Sequence, residues 1–250
     1  MNKILSTLTL GAISLFAIGN IELAKKSDAL SDGFQSSTSN MTMTLINSAK
    51  QKTIRQMSSK TLEGQNGDMS LMVFLTPADV KGTKMLTHEH INKDDDQWMY
   101  LPALKRVKRI ASRNKSGSFM GSEFSYEDTS NNSWEKYTYK GAVQEVSIEG
   151  KRYFKGTRIP KDKNSGYSKQ ITYSDVNTYL IYKIEYYDRK NELLKTAIFK
   201  KWNKLDGVYL MGEIVMTNHQ NSKKTILSWT NQKIKLNLKK KDFSKRKLKR

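Results

Sequence analysis

Apolar side chains recur at every second position through much of this chain, and a period of two commits a backbone to strands. In Met41-Thr42-Met43-Thr44-Leu45 the apolar side chains alternate with hydroxyls, so one face of the segment is apolar and the other polar. Leu180, Tyr182, Ile184 and Tyr186 share a face with Lys183 and Glu185 opposite, and Val208, Leu210, Ile214 and Met216 repeat the pattern against Glu213 and Thr217. Further strands are expected at 53–58, 69–76, 82–91, 96–101, 105–110, 134–140, 143–149, 153–159, 193–204 and 224–234. Asn66-Gly67-Asp68, Glu149-Gly150-Lys151 and Asp206-Gly207 have hairpin-turn chemistry, since Gly and Asn tolerate positive φ. Strands at roughly ten-residue spacing joined by such turns predict an antiparallel meander that closes into a barrel or folds over on itself. Helix is confined to short stretches at 25–30 and 122–128, and no repeat or Pro/Gly/Ser-rich linker divides the chain. One domain is expected.

The first 19 residues carry the charged-then-apolar order of a secretory signal: Lys3, then an apolar stretch over 4–18. That stretch falls short of the roughly 20 residues of a membrane-spanning helix, and Asn20 and Glu22 follow it instead of a basic stop-transfer cluster. Ala17 and Gly19 occupy minus three and minus one for a cut before Asn20, and Ala24 offers a second cut. The expected domains are therefore 1–19, a signal peptide, and 20–250, one domain with a basic C-terminal end at 239–250. Cysteine is absent, so no disulfide staples the fold and no acylated cysteine anchors an exported protein to a membrane. A soluble, exported, monomeric domain is the expectation.

Forty-four Lys and Arg against 24 Asp and Glu give a formal charge of +20, with much of the excess in the last twenty residues. Lys239, Lys240, Lys241, Lys245, Arg246, Lys247, Lys249 and Arg250 are candidates for contact with an anionic membrane surface, each worth about 1 kcal/mol near headgroups. The competing reading is a charged end that keeps a sheet edge soluble. Basic charge together with 24 aromatic residues also suits a single-strand nucleic-acid platform, but an export signal argues against that partner.

Catalytic and metal patterns are thin. His88-Glu89-His90 puts two imidazoles on one strand face ahead of Asp94, Asp95 and Asp96, yet no His-Glu-x-x-His pattern supplies the rest of a zinc site. Gly117-Ser118 and Gly121-Ser122 do not form a Gly-x-Ser-x-Gly elbow, and there is no Gly-Lys-Ser or Gly-Lys-Thr phosphate loop. Neither enzymatic activity, a metal nor a cofactor is expected.

The most distinctive stretch runs Trp98-Met99-Tyr100-Leu101-Pro102, then a basic strand to Ile110, then Gly117-Ser118-Phe119-Met120-Gly121 and Phe124-Ser125-Tyr126-Glu127-Asp128. Ser31-Asp32-Gly33-Phe34, Tyr186-Tyr187-Asp188 and Asp242-Phe243-Ser244-Lys245 accompany it. Over about residues 31–248 the chain resembles the LolA-like outer-membrane lipoprotein-sorting family, in an uncharacterised periplasmic subgroup. That resemblance implies a mainly β (α+β) fold: a half-open antiparallel β-barrel of about ten strands enclosing a hydrophobic cavity, with short helical lid segments. It also implies a soluble periplasmic carrier of the acyl chain of a lipid or lipoprotein, working with an inner-membrane transporter such as an export pump. An exported cationic β-domain that binds an acidic polymer or anionic membrane is the alternative.

A carrier needs apolar surface that is shielded when empty. Candidate lining residues are Met41, Met43, Leu45, Leu180, Ile184, Leu210, Ile214 and Met216 on the strand faces, with Trp98 and Tyr100 and the lid-like Phe119, Met120 and Phe124. Methionine suits variable acyl conformations because its thioether chain is unbranched and adaptable. Ordinary core packing is the competing reading of each.

Overall fold

The computed structural model describes residues 18–130 and 133–249. Residues 1–17 of the expected signal peptide, and Arg250, lie outside the described residues. Thirteen strands form one antiparallel sheet: β1 (Ser36–Ile46), β2 (Lys52–Leu62), β3 (Met69–Thr76), β4 (Lys84–His88), β5 (Asp96–Leu101), β6 (Arg106–Ile110), β7 (Tyr137–Ile148), β8 (Lys151–Pro160), β9 (Tyr167–Asp175), β10 (Ile181–Asp188), β11 (Leu193–Leu205), β12 (Val208–Asn218) and β13 (Lys224–Ile234). Helices α1 (Asn20–Ala29) and α2 (Lys245–Leu248) flank it. The spatial order β6-β5-β4-β3-β2-β1-β13-β12-β11-β10-β9-β8-β7 joins the first and last strands in the middle and leaves β6 and β7 as the two edges. The meander is thus two runs of hairpins meeting at the β1–β13 pair, where Met43 lies opposite Leu227.

The expected architecture is corrected in strand number and in several elements. Thirteen strands replace about ten, and the sheet is unclosed. The segments expected at 134–140 and 143–149 are one strand, β7, bulged between Lys140 and Gln144 and preceded by a 3-10 turn at Trp134–Lys136. The stretch at 82–91 yields only β4, because the chain leaves the strand after His88. Strand β9 was invisible to alternation because its buried positions include polar side chains. Gln170 is buried where its Oε1 accepts a hydrogen bond from Arg158 Nε at 2.8 Å, and Ser174 is buried beside Ser27 of α1. The helix expected at 122–128 is a loop ending in a 3-10 turn at Glu127–Thr129, and α1 begins five residues before the expected 25–30.

Turn chemistry behaves as the residues require. Asp206-Gly207 and Glu149-Gly150 both place two consecutive residues at positive φ, the primed geometry that matches strand twist. At Gly67 (φ +116) a Cβ would sit 2.4 Å from the Glu89 carbonyl oxygen, so no larger residue fits there.

Two apolar layers use opposite faces of the sheet. One gathers Met41, Met43, Met57, Phe74, Met85 and Met99 with residues from β9 to β13 and with Phe119 and Phe124, so the sheet curls around the segment that links its two edges. On the other face Leu71, Leu86 and Trp98 are covered by Phe243 and Leu248 of the C-terminal segment. His88 Nε2 lies 2.6 Å from the Phe243 carbonyl, and its ring meets Trp98 edge-on.

Helix α1 is pinned by buried Leu23, by Asn20 Nδ2 donating to the Lys140 and Gly141 carbonyls, and by Trp134 N donating to Asp28 Oδ2 at 2.6 Å. Burial pushes the Asp28 carboxyl up to about 6, and burial does the same to Asp68, which caps Gly64 N at 3.1 Å. A carboxyl whose folded pKa is raised stabilises the fold at acid pH. That contribution is lost as pH rises from about 4 through 6. Asp28→Asn and Asp68→Asn keep the accepting oxygen and remove the charge. Each is expected to gain stability over the native chain on going from pH 4.5 to 7.5, on the order of 1 kcal/mol. Urea titrations at both pH values read the difference; a variant whose offset from the native chain does not change with pH would refute the assignment.

Candidate functional site

Nine of the thirteen apolar candidates come together. Met41, Met43, Phe119, Phe124, Ile184 and Met216 are buried in the inward layer, and Leu45, Met120 and Ile214 pack against it half-buried. Trp98 and Tyr100 belong to the opposite face, under the C-terminal segment. Leu180 precedes β10, accepting a hydrogen bond from Asp175 N, and Leu210 belongs to neither cluster. Reading by segment missed Met57, Phe74, Met85, Met99 and Leu227, although each sits in a strand that alternation located. Their signal was parity: Met57 and Phe74 are register partners, as are Met85 and Met99, so each pair shares one face. The result is a layer in which eight of the chain's 11 methionines meet. Such a face is soft and repacks at low cost.

What covers this face is the edge-to-edge segment, residues 111–136. It pairs with the sheet mainly through side chains. Its tip is a tight turn in which Phe119 N donates to the Phe124 carbonyl at 2.7 Å and Ser122 N to the Phe119 carbonyl at 3.0 Å. Met120 and Gly121 both take positive φ (53° and 74°), turning the Phe119 ring down onto Phe74, 6.0 Å between centroids, and against Tyr126 at 5.7 Å.

Polar latches hold the segment. Arg55 Nη1 of β2 donates to the Met120 carbonyl, while Arg55 Nε is buried without a hydrogen-bond partner among the described residues. Burial lowers the pKa of that guanidinium. Glu123 N donates to Thr225 Oγ1 at 3.0 Å, and Asn218 Nδ2 donates to Glu123 Oε2 at 2.7 Å. Lys195 Nζ donates to the Glu123 carbonyl at 2.9 Å and to Asp128 Oδ2 at 2.6 Å, an ion pair whose side chains are 4% and 5% exposed. Tyr167 OH completes the group by donating to Asp128 Oδ1 at 2.8 Å. Burial, and then the charges of Asp128 and Glu127, raise the Tyr167 hydroxyl pKa well above its usual range, so it stays a donor.

A cavity of about 510 Å³ occupies the gap between the two halves of the sheet and borders the methionine layer at Ile110 and Tyr167. Its lining is mixed: Ile91, Ile110, Pro160 and Tyr167 stand beside charged groups that are paired, Lys115 to Asp162 and Lys136 to Asp95, and Glu127 accepts from Ser165 Oγ and Gly166 N. Its components read in the sequence as unrelated polar turns, because residues 92–95 and 161–165 meet only across the gap between the two halves of the sheet.

The basic candidates Lys239, Lys240, Lys241, Lys245, Arg246, Lys247 and Lys249 are all exposed. Their segment is held down by Phe243 and Leu248, with Lys245 Nζ 4.4 Å from the Trp98 ring and Lys84 Nζ donating to the Lys247 carbonyl at 3.3 Å. His88 and His90 do not share a strand face, since β4 ends at His88 and His90 pairs with Asp96 at 3.1 Å. Among the described residues no helix is long and apolar enough to cross a membrane.

A domain from Vibrio parahaemolyticus described as an outer membrane lipoprotein-sorting protein is similar to this chain at 44% identity. The match covers 92% of this chain and 98% of that one, with a TM-score of 0.88. A DUF1329 family protein from Desulfovibrio piger matches at 31% identity over 92% and 97% of the two chains, with a TM-score of 0.86. A LolA superfamily protein from Nitrosomonas europaea shares the fold at 18% identity, with coverages of 92% and 100% and a TM-score of 0.75. A family model described as an uncharacterized protein matches residues 66–250. No functionally curated protein matches the chain.

Proposed function

Because this chain belongs to the LolA-like outer-membrane lipoprotein-sorting family, in the branch it shares with DUF1329 proteins, we propose that it is an exported periplasmic carrier of acyl chains. The observation that carries this reading is the methionine-rich inner face covered by residues 111–136 in place of a strand. In the closed form Phe119 and Phe124 occupy the place of a cargo chain. Loading swings that segment out and lays an acyl chain on the same face.

The energies are of matching size, as reversible transfer needs. Burying a twelve-carbon segment contributes roughly 10 kcal/mol before ordering costs. The two rings return about 3–6 kcal/mol when reburied, and each latch hydrogen bond adds about 1 kcal/mol. The two sums lie within a few kcal/mol of each other, so a receptor can tip the exchange either way. Cleavage before Asn20 would leave α1 and its Leu23 anchor intact, whereas a cut after Ala24 would remove both Asn20 and Leu23.

Native mass spectrometry of the gently purified mature protein is expected to show a chain starting at Asn20 and an added acyl-lipid mass. With delipidated protein, an environment-sensitive fluorescent fatty acid is expected to bind. Phe119→Ala weakens closure by up to about 3 kcal/mol and should tighten probe binding tenfold or more. Failure of both proteins to take up the probe, with circular dichroism showing both folded, would reject the carrier reading.

A further inference from the structure

The hairpin turns at the two ends of the strands differ in charge. At one end the turns 47–51, 77–83, 102–105, 189–192 and 219–223 carry Lys50, Lys81, Lys105, Arg189, Lys190 and Lys223 against Asp79 and Glu192. The turns 63–68, 89–95 and 206–207 at the opposite end carry Glu63, Asp68, Glu89, Asp94, Asp95 and Asp206 against Lys93. Each antiparallel hairpin sends alternate turns to alternate ends; the remaining turn on the basic side, 161–166, carries Lys161 and Lys163 against Asp162 and lies across the gap from residues 92–95.

The basic end also holds large apolar side chains that nothing covers. Ile54, Leu75, Leu104 and Leu193 are four of the five large hydrophobic residues exposed on the molecule's described surface, and all lie at or next to these turns. Leu104, at the end of the 3-10 turn between β5 and β6, is 62% exposed and is followed by Lys105 and Arg106. Helix α2 ends at this rim, where Lys84 reaches the Lys247 carbonyl. The tip of the covering segment is here too, with Met120 bonded to Arg55 and Glu123 to Asn218 and Asn221 of the 219–223 turn.

We propose that this basic strand end is a docking surface for an anionic bilayer, with Leu104 and its apolar neighbours entering the headgroup region. A bilayer fits better than an acidic protein. The apolar tips are separate protrusions on different turns, which a fluid interface accepts one by one, whereas a protein partner would need a matching pocket for each. Lysines interspersed with aliphatic tips combine electrostatic attraction with apolar burial, the two terms that hold interfacial proteins on membranes. Docking in this pose points the Met120–Gly121 turn at the lipid. The proposal stands apart from the carrier reading, since docking is measured without cargo.

Co-flotation of the mature chain with vesicles of phosphatidylcholine alone, and of phosphatidylcholine with phosphatidylglycerol, tests it. The native chain is expected to float only with the anionic vesicles. Each basic residue near the surface is worth about fivefold in partitioning, so the double variant Lys81→Glu/Arg106→Glu should lose more than tenfold. Leu104→Asp should lose at least fivefold, and Lys151→Glu at the opposite strand end should change binding less than twofold. All four sites are exposed, so the fold is not at risk. Absence of binding to anionic vesicles would overturn the proposal. So would equal losses in Lys151→Glu and the double variant, which would mean diffuse charge. Unchanged binding in Leu104→Asp would equally overturn it, pointing to a purely ionic partner such as an acidic protein or polymer.

Discussion

Phe243→Ala is expected to destabilise the protein by about 3–5 kcal/mol, lowering the midpoint of thermal unfolding by roughly 10 °C for a domain of this size. Phe243 and Leu248 are 1% and 0% exposed and sit on Leu71, Leu86 and Trp98, so the ring is one of the largest fully buried groups in the molecule. Its removal leaves a cavity against strands that are also packed on their other face, where Phe74, Met85 and Met99 leave little room to collapse. Lys240→Ala and Lys241→Ala, exposed in the same segment, should change stability by less than about 0.5 kcal/mol. Circular dichroism melts decide the matter. A Phe243→Ala midpoint within about 2 °C of the native chain would show that the segment is the solvated tether the charge pattern suggested, and not a covering layer.

The second large effect is electrostatic. Asp128→Asn is expected to cost about 3–5 kcal/mol, because it strands the Lys195 ammonium in a site only 4% exposed. Lys195→Met should cost a similar amount by leaving the Asp128 carboxylate with only Ser125 N and the Tyr167 hydroxyl as donors. The double variant should recover most of the loss, since an uncharged pair of similar volume pays no desolvation penalty. Urea denaturation of the four proteins gives the coupling directly. Single variants that each cost under about 1 kcal/mol would mean that water reaches the pair. The pair matters beyond stability, because it ties the covering segment to β11 and fixes how far that segment can lift.

Alternation alone located twelve of the thirteen strands, because burial on one face of a twisted ribbon must repeat every two residues. It failed at β9, where Gln170 and Ser174 are buried through hydrogen bonds to Arg158 and α1, partners that lie outside the strand itself. The apolar candidates show the same division. Met41, Met43, Ile184 and Met216 were legible as one-sided strand residues and meet in one layer. Trp98 and Tyr100 looked equivalent, yet they face the other way, because β5 is apolar on both sides and only the C-terminal segment shows which side each ring serves.

Local sequence thus determined the strands, the positive-φ turns and the excess of basic charge, all of which depend on residues within a few positions of each other. The tertiary structure alone decided that β1 would pair with β13, leaving β6 and β7 as edges and residues 111–136 to fill the space between the halves. It also decided that the basic C-terminal run would lie down on the sheet, and that lysines scattered over five turns would share one end. Those outcomes depend on contacts between residues far apart in the chain, where burial of facing apolar surfaces, not periodicity, selects the arrangement.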